Sequence, residues 1–323
     1  MNDVLLKATG LTKVYRSEGR QKTAVDNVDL SIRRGEIHAL MGLSGSGKST
    51  LLRMLNRLIE PTSGSVELDG QPLSAMSLRE LRDVRNRRIA MVFQHFALLP
   101  HVSVRGNAAY GLRVRGQARK AAYEKADEVL AVVGLEGLGD ARPDQLSGGM
   151  KQRVGLARAL ATGADILLMD EPFSALDPLI RRDMQELVLR LAESFHTTIV
   201  CVTHDPNEAM RISDAITLLK DGRIAQTGGV ADILTRPADD YVRRFVEEAD
   251  RSRVLTARDV MAPVNAAEAL PRARVKAEDT LAQIARSLLD VGAATVVDEE
   301  REPLGRLTYH AVLEAVSREE KAS

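Results

Sequence analysis

One cysteine, Cys201, occurs in the 323-residue chain. No intrachain disulfide can form, and the composition fits a reducing compartment. Neither sign of charge is in excess: Lys+Arg and Asp+Glu both number 45. That balance argues against nucleic acid as the main partner, because such domains carry a basic surplus. No apolar run approaches the roughly 18 residues that a membrane span needs. The first ten residues lack the charged-then-apolar pattern of a secretion signal. A role at a membrane would therefore need another subunit to carry the chain there. There is no long internal repeat and no low-complexity tract. What remains is an ordinary globular composition, 44% hydrophobic, with length enough for two domains.

Short apolar runs alternate with helical periodicity over most of the chain. Strand patterns fall at 4–8, 23–32, 36–41, 65–68, 89–93, 165–170, 198–203, 215–220 and 222–226. Helical patterns fall at 48–58, 77–88, 104–133 with a break at Arg115-Gly116-Gln117, after Ser147, and at 179–195. Alternation of this kind predicts an α/β domain with a largely parallel sheet. The charged run 247–253 reads as a linker. Beyond it come a helix at 280–289, strands at 294–297 and 304–308, and a helix at 311–317, a small second domain.

The strongest local pattern is Gly42-Leu43-Ser44-Gly45-Ser46-Gly47-Lys48-Ser49, followed by Thr50, a P-loop between a strand and a helix. Its glycines let backbone N–H groups turn onto phosphates, and the helix start adds a positive dipole end. Lys48 is expected at the β- and γ-phosphates and Ser49 on Mg²⁺. Such a loop needs an acidic partner at a neighbouring strand end. Ile166-Leu167-Leu168-Met169-Asp170-Glu171 supplies it, with Asp170 for the metal and Glu171 to polarise the attacking water. A second Gly-rich loop, Leu146-Ser147-Gly148-Gly149-Met150-Lys151-Gln152-Arg153, opens another helix and is a second anion site.

That string resembles the signature motif of ABC transporter ATPases, upstream of the Asp170 strand as the family orders them. The resemblance covers about residues 4–246 and implies an ATP- and Mg²⁺-dependent ATPase, with an antiparallel β subdomain and a helical subdomain around the parallel sheet. It implies that Ser147, Gly148 and Gly149 grip the γ-phosphate held by a second copy, in an ATP-sandwich dimer. The fifth signature position is usually Gln and here is Met150, a small departure because the contacts come from Ser147 and the glycine backbone. By the same resemblance Tyr15 stacks on adenine, Gln94 contacts Mg²⁺ and the water, and His204 contacts the γ-phosphate. Ser174-Ala175-Leu176-Asp177 resembles the loop joining the two active sites. The apolar segment Phe96-Ala97-Leu98-Leu99-Pro100, flanked by His95 and His101, falls where the family docks its membrane permease.

Three strings narrow the branch: Met41-Gly42-Leu43-Ser44, Asn56-Arg57-Leu58-Ile59-Glu60-Pro61-Thr62, and Ser174-Ala175-Leu176-Asp177-Pro178-Leu179-Ile180-Arg181. With Met150 they resemble ATPases of glycine betaine, proline and choline importers. That implies an integral membrane permease, an extracytoplasmic substrate-binding protein and a place on the cytoplasmic face of the inner membrane. The solute never touches this subunit, so the solute assignment rests on resemblance. Thr256-Ala257-Arg258-Asp259-Val260-Met261 resembles the opening of a CBS motif. The expected organisation is an ATPase domain 1–246, a linker 247–255 and a single CBS-like motif 256–323, paired across the dimer or thickening the dimer contact. Two alternatives stay open. One is an importer ATPase for an amino acid or sugar, although sugar-importer ATPases carry a longer β-barrel tail. The other is a soluble ABC ATPase, although those fuse two cassettes or insert coiled coils. Elsewhere the bland readings are preferred: Arg79, Arg82, Arg85, Arg87 and Arg88 as a solvated helix face, and Cys201 as packing.

Overall fold

The computed structural model describes residues 3–17, 20–94, 96–247, 249–264 and 270–317. His95 and parts of the 247–253 run and of the 256–323 tail lie outside them. Chain contacts divide it into two compact units, 1–227 and 228–323. In the first, β1 (Val4–Ser17), β2 (Arg20–Arg33) and β3 (Ile37–Met41) precede α1 (Lys48–Leu55), β4 (Ser63–Leu68), β5 (Gln71–Pro72), α2 (Leu78–Arg87) and β6 (Ile89–Val92). Next come α3 (Val104–Ala108), α4 (Tyr110–Val114), α5 (Arg119–Val132) and α6 (Gly148–Leu160). The remainder alternates: β7 (Ile166–Asp170), α7 (Pro178–Phe195), β8 (Thr198–Val202), α8 (Pro206–Ile212), β9 (Ala215–Lys220) and β10 (Arg223–Gly229).

β2, β1, β4 and β5 form an antiparallel sheet, and β10-β9-β3-β8-β7-β6 a six-stranded sheet whose pairs from β9 to β6 are parallel. Both faces of that second sheet are covered, as parallel sheets require. Ile166, Leu168, Val200 and Val202 pack with α1 and the antiparallel sheet. Their neighbours Leu167, Met169, Ile199 and Cys201 pack with α3, α5, α6 and α7. The period-2 alternation of a strand thus feeds two separate cores.

The expected α/β architecture holds, and the differences have local causes. The helix from Lys48 stops at Leu55 rather than 58, because Arg57 takes a left-handed φ of 53° and the Asn56 side chain accepts from Leu58 N. The helical run 104–133 is three helices. The solvated arginine face is only partly that: Arg85 is bound to the carbonyls of Asn56 and Arg57, and Arg88 pairs with Asp69 and Asp165. Cys201 is buried, and burial pushes its thiol up.

In the second unit α9 (Val230–Thr235), α10 (Asp240–Glu247), α11 (Arg251–Val254) and α12 (Ala257–Val260) precede β11 (Ala262–Pro263), β12 (Arg274–Lys276), α13 (Leu281–Val291), β13 (Ala293–Val297), β14 (Pro303–Thr308) and α14 (Tyr309–Val316). Its sheet runs β11-β14-β13-β12, with β12 and β13 parallel and joined through α13. The segment read as a linker contains α11.

Candidate functional site

Strand register brings the predicted residues to one edge. Leu40 pairs with Val202, Val202 with Asp170, and Val92 with Met169, so β3, β8, β7 and β6 end together. The loops after them carry Gly42, His204, Glu171 and Gln94. Ligands of open α/β sheets bind at this C-terminal edge.

The P-loop is built by its backbone. Gly42 and Gly47 have φ of 143° and 101°, and a Cβ at either would lie 2.3 Å from the Leu219 carbonyl or 2.2 Å from that of Ala24. No residue but glycine fits there. Leu43, Ser44 and Gly45 are exposed at the tip. Lys48 is 5% exposed, and its ammonium donates to the Gly42 and Leu43 carbonyls at 2.8 and 3.0 Å. Burial pulls its pKa down against the opposing pull of Glu171 and Asp170. Ser46 Oγ is buried with no hydrogen-bond partner, a free donor inside an anion-shaped loop.

Asp170 continues the Ile166, Leu168 face of β7 and therefore points at α1. Ser49 Oγ donates to its Oδ1 at 2.7 Å, and Arg53, one turn later on the same helix face, donates to Oδ2 at 2.9 Å. Among the described residues no group of three His, Cys, Asp or Glu side chains stands ready for a metal. A hydroxyl beside one carboxylate instead fits a small hard cation that keeps waters and takes phosphate oxygens, as Mg²⁺ does. Glu171 starts its loop in a left-handed conformation, φ 47°. Gln94 Nε2 lies 3.4 Å from both Glu171 Oε2 and Ser174 Oγ, and Ser174 Oγ donates to the Glu171 carbonyl at 3.0 Å. His204 is largely exposed, with Nδ1 3.5 Å from Glu171 Oε2.

A cavity of about 300 Å³ joins Ser44, Gly45 and Gly47 to Thr50 of the P-loop with Tyr15, Lys22, Ala24 and Glu171. Lys13 lies over the Tyr15 ring, 5.3 Å from its centroid, and is anchored to the Glu60 carbonyl. Ser147, Gly148 and Gly149 do not line this cavity. Ser147 caps α6, accepting from Met150 N at 3.3 Å, and stays exposed with Gly148. Gly149 is buried because α7 packs on it: a Cβ would meet Ile180 Cγ2 at 2.5 Å. Met150 packs its side chain on the helical core. Phe96 and Ala97, both left-handed, give their carbonyls to Arg158 of α6, and Ala97 borders a groove of about 640 Å³ with Tyr110 and Val114.

Arg53 and Lys22 escaped the sequence reading. Arg53 had a weak signal, its i+4 spacing from Ser49. Lys22 had none, since only the β1–β2 register places it opposite Tyr15.

Comparison with known proteins bears on the family and the fold. The family described as ABC transporter matches residues 25–174. The glycine betaine/carnitine transport ATP-binding protein of Listeria monocytogenes is 49% identical over 79% of this chain, an alignment spanning 70% of that relative. The trimethylamine N-oxide transport system ATP-binding protein of Pelagibacter ubique is 40% identical, aligned over 99% of this chain and 100% of its own length. Among solved structures, an ATP-binding cassette in a dimeric post-hydrolysis state bound to ADP and Pi superposes with a TM-score of 0.65 at 35% identity. That match covers 70% of this chain and 99% of the cassette.

Proposed function

The chain belongs to the family of ABC transporter ATP-binding subunits, and from that membership we propose that it hydrolyses ATP to drive uptake of a small methylated-amine osmoprotectant, glycine betaine foremost. The observation that carries the reading is the split of the phosphate-handling groups. The P-loop cavity is lined by Glu171, with Asp170 on Ser49 and Gln94 and His204 beside Glu171 at the same sheet edge, while Ser147 and Gly148 stand exposed and outside it. Each chain therefore offers one half of two composite sites, and a second copy completes both.

Tyr15 stacks on the adenine, and Gly42 to Thr50 wrap the phosphates, with Lys48 at the β- and γ-oxygens. Ser49, Gln94 and Asp170 would hold Mg²⁺, which when bound neutralises charge on those oxygens. Glu171 accepts the proton of the attacking water, and His204, 3.5 Å from it, faces the γ-phosphate. Ser147, Gly148 and Gly149 of the second copy close on that phosphate with the N-terminus of α6. Closure and reopening follow ATP binding and loss, because ATP contacts both halves only in the closed state.

No helix among the described residues is long and apolar enough to cross a membrane. A permease docks in the groove beside Phe96 to Pro100, an extracytoplasmic binding protein delivers the solute, and the subunit works from the cytoplasmic face. Residues 1–246 act as the ATPase domain, 247–255 as a linker and 256–323 as a single CBS-like motif pairing with that of the second copy. The β12-α13-β13-β14-α14 order of the tail supports that reading.

Glu171→Gln is expected to keep ATP affinity, lower hydrolysis by about a hundredfold or more, and trap an ATP-bound dimer on gel filtration. Turnover at the wild-type rate would remove Glu171 from the mechanism. Uptake of labelled glycine betaine, choline, proline and trimethylamine N-oxide in a deletion strain tests the solute. Unchanged uptake of all four would sink the osmoprotectant assignment and leave the ATPase assignment standing.

A further inference from the structure

Glu208 is a buried carboxylate for which the ATPase mechanism has no use. It is 6% exposed in the first turn of α8, and burial pushes its carboxyl up. It is not needed to start that helix, because Asp205 Oδ1 already accepts from the N–H groups of Asn207 and Glu208. Burying an acid without such a duty costs stability, so its contacts point to another one.

Those contacts converge on His204. Glu208 Oε2 accepts from Thr203 Oγ1 at 2.5 Å, and the same Thr203 oxygen accepts the Asp205 N–H at 3.1 Å. The residues on both sides of His204 are thereby tied to one carboxylate. The other oxygen, Oε1, lies 3.5 Å from Arg181 Nε, and Arg181 Nη1 lies 3.7 Å from Asp205. Arg181 Nη2 donates to the Leu176 carbonyl at 3.1 Å. Leu176 ends the loop that Glu171 begins. We propose that Arg181 and Glu208 are positioning residues that latch the loop carrying His204 onto the loop that Glu171 begins, so that the imidazole faces the phosphate Glu171 serves. The inference rests on the roles given above to Glu171 and His204.

Strand pairing alone does not hold these side chains. The ladder between β7 and β8 ends where Glu171 N donates to the Val202 carbonyl at 3.2 Å. Beyond that bond His204 is an exposed imidazole whose contact to Glu171 is 3.5 Å. A guanidinium is suited to the gap, since its planar fork spans a carbonyl and two carboxylates at once; an ammonium is a point charge and cannot. The latch also reaches the signature helix, because Ile180, next to Arg181, is the residue that packs on Gly149.

The test uses the full-length chain and measures kcat, KM, ATP affinity and thermal midpoint for Arg181→Met, Arg181→Lys, Glu208→Gln and His204→Ala, and for Arg181→Met combined with His204→Ala. The latch predicts a kcat loss of about ten- to a hundredfold for Arg181→Met and Glu208→Gln with ATP affinity unchanged, since small misplacements act on turnover. Arg181→Lys should recover part of it. In the His204→Ala background Arg181→Met should lower kcat no further, an outcome that general destabilisation would not give. Should Arg181→Met fail to fold, the nearly isosteric Glu208→Gln with His204→Ala carries the same comparison. Wild-type kcat in Arg181→Met or Glu208→Gln while His204→Ala is slow overturns the latch alone, as do additive losses. Wild-type kcat in His204→Ala overturns the role of His204 and the latch with it.

Discussion

Lys48 shows how a single residue holds a site ready at a cost. Its ammonium is buried among backbone carbonyls, and desolvation lowers its pKa below 10.5. A cation with a lowered folded pKa binds fewer protons folded than unfolded at pH values between the two pKa values. The nucleotide-free protein therefore bears the cost at neutral pH and sheds it as pH climbs through the folded value toward 10.5. Phosphates arriving at the loop supply the missing counter-charge. Lys48→Met is accordingly expected to abolish the ATP-induced rise in thermal midpoint while leaving the nucleotide-free midpoint within a few degrees of wild type. Between neutral and alkaline pH the wild type should gain stability relative to the variant. Differential scanning fluorimetry with and without ATP reads all three; a persistent ATP shift in Lys48→Met would count against the placement of Lys48 on the phosphates. Residues set inside a contiguous motif, such as Lys48 or Asp170, were legible in sequence. Arg53 was not, because its partner Asp170 lies 117 residues away and only folding brings them together. Arg181 closed a string read only for its resemblance, and its partner Glu208 lies 27 positions on, so the sequence did not join them.

At the scale of elements, helices announced by their caps were placed well. Ser77 with Glu80 forms a capping box before α2, and Asp177 caps α7 just ahead of Pro178. The helices missed, α8 to α12, are four to eight residues long. Stretches that short are held by packing rather than by their own periodicity, so periodicity alone passes over them. Ser147 makes the difference between a cap and a functional group measurable. As the N-cap of α6 it accepts one backbone N–H, and Ser147→Ala should cost about 1 kcal/mol of stability. In the sandwich reading the same hydroxyl also meets the partner's γ-phosphate. Ser147→Ala should therefore weaken ATP-driven dimerisation by far more than its folding loss explains, and Ser147→Asp should keep the cap yet abolish dimerisation by setting a carboxylate against phosphate. Denaturant titration and analytical ultracentrifugation of the Glu171→Gln forms separate the two effects. A Ser147→Asp chain that still dimerises with ATP would confine Ser147 to capping.

For the whole molecule, the decisive fact is that the two Gly-rich helix starts in one chain do not share a cavity. A symmetric pair would repeat the contact, P-loop of one copy to Ser147 loop of the other, on both sides of its axis. This makes a complementation experiment sharper than any single substitution. A chain with Lys48→Ala and a chain with Ser147→Asp are each expected to be inactive as homodimers, since every site has one defective half. In a mixed dimer both lesions fall in the same composite site, and the other site has two intact halves. Random pairing would put half of the pairs in that arrangement and loss of the homodimers would put more, so activity should return to about a quarter to a half of wild type if sites fire independently under two-fold symmetry. No recovery on mixing would mean that both sites must fire together or that hydrolysis does not need the shared arrangement. Those two are told apart by tethering one variant to a wild-type chain: coupled sites leave the tethered pair silent, whereas a site complete within one chain leaves it half active.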